Sequence, residues 1–355
     1  MPSEPRAQQA VQPPPSGTPV TVVIATRDRP RLLHDALSAL HASLRPGDAL
    51  VVVDSASRQP AVAGVARAAG ATVLRCERPG TCRARNVGWQ AANTDIVAFT
   101  DDDCLPAPGW VAALAGALER SPSASFVTGQ VVPGSTRRAR GELGLSLLVS
   151  DHPAAFGPAS DPATVGHGAN MAWRRRALAA IGGFDELLGP GSPLRAAEDH
   201  DAFWRALAAG GTGIFEPAAV VVHRSWRTRR QQVRAYYAYG VGTGALAVKR
   251  WRLTGRAAAG SPLGPLPSVR LATPELLWRH GVARIAGNLV RGYEMSALAE
   301  TAKLAGVVHG VAMARRLRLD HGHFQAGDRI AATAGAGHPD RPAATRCPDP
   351  PPRRD

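Results

Sequence analysis

An α/β fold with a doubly wound, mostly parallel sheet is predicted by three observations. Short β-branched runs alternate with helical patterns from residue 20 to about 120. Each apolar run stops at polar residues, most abruptly at three consecutive aspartates, Asp101, Asp102 and Asp103. Beyond residue 229 the pattern becomes long and helical, so a C-terminal helical extension is appended to the sheet.

The first strand is predicted over residues 20–24 and runs into Thr26, Arg27, Asp28 and Arg29. Pro30 suits the first turn of a helix, where the missing N–H has no partner to lose. Leu32, Leu33, Ala36, Leu37 and Leu40 then share one helical face. A second strand over 50–53 ends in Asp54 and Ser55; a short Ala-rich helix and a third strand over 71–75 follow. A helix carrying Arg83, Arg85 and Asn86 leads into residues 96–99, a continuous apolar run of the kind a buried parallel strand makes. Residues 134–162 are rich in Gly, Ser, Pro and Arg and predict a long loop over the site. Strand-like sequence returns at 166–173, a turn is expected at 182–186, and Glu198, Asp199, His200 and Asp201 open a helix reaching about residue 209. Two β-rich segments, 212–215 and 219–222, end at His223. Residues 229–319 read as basic helix, interrupted over 261–274 by four prolines. Residues 1–18 and 320–355 have little to bury and are expected to be disordered.

Three adjacent carboxylates repel one another and are costly to desolvate, so they need compensation. At the carboxyl end of a parallel strand the simplest compensation is a hard divalent cation carrying a phosphate ligand. A solvated acidic turn is the bland alternative for the triplet alone. Ligands of such sheets bind beyond the carboxyl ends of the strands, where the polar ends at Thr26–Asp28, Asp54–Ser55 and Asp101–Asp103 would meet. The Gly-x-Gly-x-x-Gly turn of dinucleotide-binding domains and the Gly-Lys-Ser/Thr phosphate loop are both missing. Carboxylates in a first helical turn complement the helix dipole. That accounts for one of Glu198, Asp199 and Asp201; three within four positions call for a second reason.

The net charge of +14 over 355 residues, carried mainly by Arg, calls for an anionic partner or is simply spread over the surface. Four cysteines at 76, 82, 104 and 347 show neither zinc-type pairing nor a disulfide framework. No stretch approaches the roughly 20 apolar residues that span a bilayer, and residues 1–17 have no apolar core. A cytoplasmic location follows, at most peripheral at the inner face of the plasma membrane.

Six pieces in order resemble the GT-A-fold family 2 glycosyltransferases, the large inverting group with many bacterial members. They are Thr21–Arg29, Val51–Ser57, Ala84–Gly88, Ala98–Asp103, Gly182–Glu186 and Glu198-Asp199, and the likeness covers residues 19–228. The resemblance implies a nucleotide-diphosphate-sugar donor, with UDP the default nucleotide, and a hydroxyl acceptor on a cell-surface glycan, a lipid carrier or a metabolite. It implies that Asp54 contacts the base with Thr26, Asp28 and Arg29 nearby. Arg85 and Asn86 would face the nucleotide, Asp101 would lie toward the ribose and sugar, and Asp102 would belong to the same nucleotide-sugar site. Asp103 would bind Mg²⁺ or Mn²⁺, joined by His223, while Arg224 and Arg227 steady the diphosphate. Asp199 is the expected general base, with Glu198 its neighbour, and His167 and Trp173 would line the acceptor side; a core position suits Trp173 equally.

One departure matters. Processive members carry Gln-x-x-Arg-Trp and transmembrane helices, whereas Gln231, Arg234 and Ala235 keep only the first two of those residues. Transfer of a single sugar is therefore expected. The Arg-, Tyr- and Trp-bearing extension suits an anionic membrane surface or simple packing on the catalytic domain. Two other readings stay open: a sugar-1-phosphate nucleotidyltransferase, and a basic membrane- or nucleic-acid-binding protein with an inactive transferase fold. Nucleic acid is the less expected partner.

Overall fold

The computed structural model describes residues 17–134, 147–224, 227–257 and 274–326. Its centre is a twisted sheet whose first four strands are β1 (Val20–Thr26), β2 (Ala49–Ser55), β3 (Thr72–Cys76) and β4 (Ile96–Asp101). All four run parallel, with β2 and β4 flanking β1. They are apolar on both faces because both faces are covered. Val20, Val22, Ile24, Val52 and Ala98 point into one core layer, and Val23, Val51, Val53, Val97 and Phe99 into the other.

Helices α1 (Pro30–His41), α2 (Ala61–Ala68) and α4 (Trp110–Arg120) fill the first layer; α3 (Thr81–Ala91), α5 (Arg175–Ala180) and α6 (Glu198–Ala208) fill the second. Gly88 lets α3 lie against β1, since a Cβ there would sit 2.3 Å from the Val23 side chain.

The far half of the sheet is mixed. β8 (Asn170–Arg174) runs antiparallel between β4 and β6 (Ala124–Pro133). The two predicted segments around residue 217 form one strand, β9 (Thr212–His223), whose pairing with β6 is irregular between Glu216 and Val220. Two short strands fit no periodic signal: β5 (Cys104–Pro106) and β7 (Ala154–Phe156), both antiparallel to β9. The predicted long loop is thus partly strand, and its residues 135–146 lie outside those described.

The extension is three helices, α7 (Arg229–Ala257), α8 (Pro274–Val290) and α9 (Glu294–Arg316). The proline-rich interruption falls outside the described residues. α7 and α9 pack backbone to backbone: a Cβ on Gly240 would lie 2.0 Å from the Lys303 carbonyl, and one on Gly310 2.0 Å from that of Val241. A hairpin of β10 (Arg318–Asp320) and β11 (His323–Gln325) corrects the expectation of disorder from residue 320, because Phe324 is buried with Leu188, Leu194, Ala245 and Val248. The predicted disorder of residues 1–16 and 327–355 lies outside the described residues. No helix among the described residues is long and apolar enough to cross a membrane.

Candidate active site

The carboxyl ends of β1 and β4, the start of α6, the end of β9 and the extension enclose one cavity of about 790 Å³. Thr26, Asp28, Arg29, Arg85, Asp101, Asp102, Asp103, His167, Glu198, Asp199, His223 and Arg227 all reach its lining.

The three aspartates do three different things, because a strand end turns successive side chains in different directions. Asp101 accepts from Arg85 Nη2 at 2.9 Å. Asp102 points back under β1, accepting from Thr26 Oγ1 at 2.7 Å and Arg29 Nη1 at 2.9 Å. Burial pushes Asp102 up to about 6, against the pull of Arg29. Asp103 lies 3.7 Å from His223 Nε2, because β5 pairs with the end of β9 and sets Cys104 opposite His223. Arg29 and Arg227 approach its other oxygen at 3.8 and 4.0 Å.

Arg85 ties the two halves of the site together, donating to Asp101, to Glu198 at 3.2 Å and to the Gly168 carbonyl at 3.1 Å. Burial opposes its charge, but Asp101 and Glu198 outweigh that and raise its pKa. Glu198 and Asp199, adjacent at the start of α6, are driven apart. Glu198 is pushed up to about 7, by burial first and the Asp199 charge second. Burial pulls Asp199 the same way, yet the His200 and His167 imidazoles and two backbone N–H groups prevail and lower it. Those donors are Gly168 and His200, each at 2.8 Å. Burial lowers the pKa of His167.

With this geometry in view, the family profile of Glycosyl transferase family 2 matches residues 21–182. This domain belongs to glycosyl transferase family 2. Over 242 residues, 66% of this chain, it is 33% identical to the pre-mycofactocin glycosyltransferase of Mycobacterium tuberculosis, covering 49% of that protein. It is 30% identical over 121 residues, 33% of this chain, to 39% of the glucosyl-dolichyl phosphate glucuronosyltransferase of Haloferax volcanii. The chain thus spans about half the length, or less, of these curated relatives. A mannosyltransferase from Pyrobaculum calidifontis, solved with GDP-Man and Mn²⁺, superposes with a TM-score of 0.55 at 21% identity, over 86% of this chain and 91% of that one. That likeness establishes the GT-A fold.

The family 2 domain leaves several expected residues away from the cavity. Asp54 is buried behind the wall, accepting from Arg75 Nη1 at 2.6 Å and the Ser57 N–H at 2.9 Å. Asn86 clamps the 182–186 turn: its amide donates to the Phe184 carbonyl and accepts from the Phe184 N–H, both at 2.9 Å. Arg224 pairs with Asp35 on α1 instead of lining the cavity. Trp173 requires a correction: it has no exposure and stacks on Phe203, with ring centroids 5.6 Å apart, so it belongs to the core and not to an acceptor surface.

Asp103 offers a carboxylate, the ligand type of both Mg²⁺ and Mn²⁺, and His223 an imidazole, which suits a transition ion such as Mn²⁺ better than Mg²⁺. Cys104 lies within 4.8 Å of both, but burial drives its thiol pKa well up, so it stays protonated in the core. The donor set fits a divalent cation with room for ligand oxygens.

Motif reading missed the extension's share of the site. Tyr236, Tyr239 and Thr243 of α7, Arg284 of α8, and Glu300 and Lys303 of α9 form one wall of the cavity. It also missed Lys249, which is fully buried and donates to Asp185 at 2.6 Å and to Asp201 at 2.7 Å. The 236, 239, 243 spacing was the available signal, since i, i+3 and i+7 share one helical face.

Proposed function

We propose that the chain is a metal-dependent, inverting glycosyltransferase that moves one sugar from a nucleoside-diphosphate sugar to a hydroxyl acceptor. One observation carries this reading: Asp101–Asp103, Arg85 and the Glu198–Asp199 pair line a single cavity large enough for a nucleotide sugar.

Asp199 is assigned as general base. Its lowered pKa keeps it ionised at neutral pH, and the Gly168 and His200 N–H groups fix its orientation. It takes the acceptor proton as the hydroxyl oxygen attacks the anomeric carbon and the bond to the diphosphate breaks on the opposite face. Glu198 is less suited, because Arg85 already binds it and burial holds it partly protonated. Asp103 and His223 would hold the cation. When bound, the cation neutralises charge gathering on the departing diphosphate. Arg29 and Arg227, close to Asp103, are assigned to the same diphosphate. UDP remains the first nucleotide to test, and GDP stands beside it because the structural neighbour was solved with GDP-Man and Mn²⁺. Peripheral membrane attachment finds support in Trp251, Leu289 and Val290, large apolar side chains exposed on the extension.

The test is thermal stabilisation by UDP, GDP, dTDP and ADP, each with and without Mn²⁺, in the wild type and Asp103→Ala. A Mn²⁺-dependent shift with one nucleotide, lost in the variant, is expected. Absence of any shift overturns the reading.

A further inference from the structure

Lys303 is the least explained cation of the cavity. Its half-buried side chain lies on α9, where burial lowers its pKa against the pull of the Glu300 carboxylate, and it makes no direct hydrogen bond or ion pair among the described residues. A desolvated ammonium in a ligand-sized cavity is costly unless a ligand completes it.

Its position is not accidental to the packing. Gly240 of α7 meets the Lys303 backbone, and Gly306, one turn further along α9, meets the Tyr237 carbonyl, where a Cβ would lie at 2.2 Å. Close approach of the two backbones therefore fixes Lys303 beside the α7 face that carries Tyr236, Tyr239 and Thr243. The same helix abuts the start of α6, since a Cβ on Gly242 would lie 2.5 Å from the Ala196 carbonyl. The wall thus borders the start of α6, where Glu198 and Asp199 line the same cavity. Arg284 adds a second cation, and Glu300 approaches it only at 3.9 Å.

We propose that this wall is an acceptor subsite for a molecule bearing an anionic group, phosphate or carboxylate, bound by Lys303 with Arg284. The two tyrosines supply flat apolar faces of the kind that pack against sugar or aromatic rings. This inference rests on the glycosyltransferase reading, since it assigns the anion to the acceptor and not to the donor.

The test is binding of three probes to the full chain held saturated with its stabilising nucleotide and Mn²⁺: 4-nitrophenyl β-glucoside, 4-carboxyphenyl β-glucoside and glucose 6-phosphate. The anionic probes are expected to bind at least about tenfold more tightly than the neutral one, as a charge-assisted hydrogen bond allows. Lys303→Gln should erase that difference, Lys303→Arg should keep it, and nucleotide binding should be unchanged in both. The two source chemistries separate by which anionic probe gains more. Equal binding of neutral and anionic probes overturns the proposal, as does a Lys303→Gln variant that keeps the preference. Weaker nucleotide binding in Lys303→Gln also overturns it, by moving Lys303 to the donor. Failure of the wild type to bind any nucleotide instead overturns the underlying transferase reading.

Discussion

Lys249 donates to Asp201 at 2.7 Å from within a fully buried site, and Asp201 lies two residues beyond Asp199 on α6. A side chain of the extension thereby holds the helix that carries the assigned base. Lys249→Met leaves Asp185 and Asp201 short of a cation in the interior. We expect a loss of about 3–5 kcal/mol in urea denaturation, the range for breaking a buried ion pair. A loss below about 1 kcal/mol would mean that Arg205, which also pairs with Asp201 at 2.9 Å, suffices alone.

Asp199→Asn and Glu198→Gln are expected to separate. With the nucleotide sugar selected by the stabilisation test, Asp199→Asn should lower kcat by about 10²–10⁴, the usual contribution of a positioned base, and leave donor binding intact. Glu198→Gln should cost less in kcat and more in donor affinity, since it releases Arg85 from one of its carboxylates. The reverse ranking in steady-state kinetics would exchange the two roles.

Glu198 also predicts a pH dependence of stability. Its folded pKa of about 7 lies above the ordinary glutamate value, so the folded state binds the proton more tightly than the unfolded chain does. Stability should therefore fall as pH rises through the window between the unfolded glutamate pKa and about 7. Because Asp199 titrates jointly with it, the step belongs to the pair. Melting temperature followed from pH 5 to 8, an interval chosen to bracket the upper part of that window, should decline less in Glu198→Gln than in the wild type. Parallel curves would refute the assignment.

Gly306→Val probes the helix contact that sets the subsite wall. The new side chain meets the Tyr237 carbonyl, so α7 and α9 must part. A destabilisation of about 1–3 kcal/mol is expected, with earlier proteolytic cleavage in the extension than in the sheet domain. Wild-type cleavage kinetics would show that the helices pack otherwise.

Much of the sheet was legible because parallel strands advertise themselves: β1, β2 and β4 are apolar on both faces and end in polar residues, and α6 begins at the predicted Glu198. The mixed half was harder. β5 has three residues and no period to read, and β9 carries an irregularity where the sequence suggested a break. In β8, Trp173 and Ala172 are both fully buried, so alternation could not tell core from cavity. At the site, the aspartate triplet stood out by type and spacing and Arg85 through the family resemblance, and all four line the cavity. Asp54 and Asn86 also came from the resemblance, but their partners, Arg75 and the Phe184 backbone, turn them away from the cavity. Lys249 and Lys303 stood hidden in a basic stretch, where one cation looks like the next until packing buries it.

Arg195 and Ala197 hold left-handed backbone, with φ of 64° and 69°, although neither is glycine. Each conformation costs on the order of 1 kcal/mol and persists only where surrounding structure enforces it. Here the enforcing surface is α7 at Gly242, which belongs to a region with no motif of its own. Reaction rates fall steeply when a catalytic group is displaced by even an ångström. On the glycosyltransferase reading, turnover is thus adjustable from a distance: substitutions along α7 are expected to retune Asp199 while every recognisable motif residue stays the same.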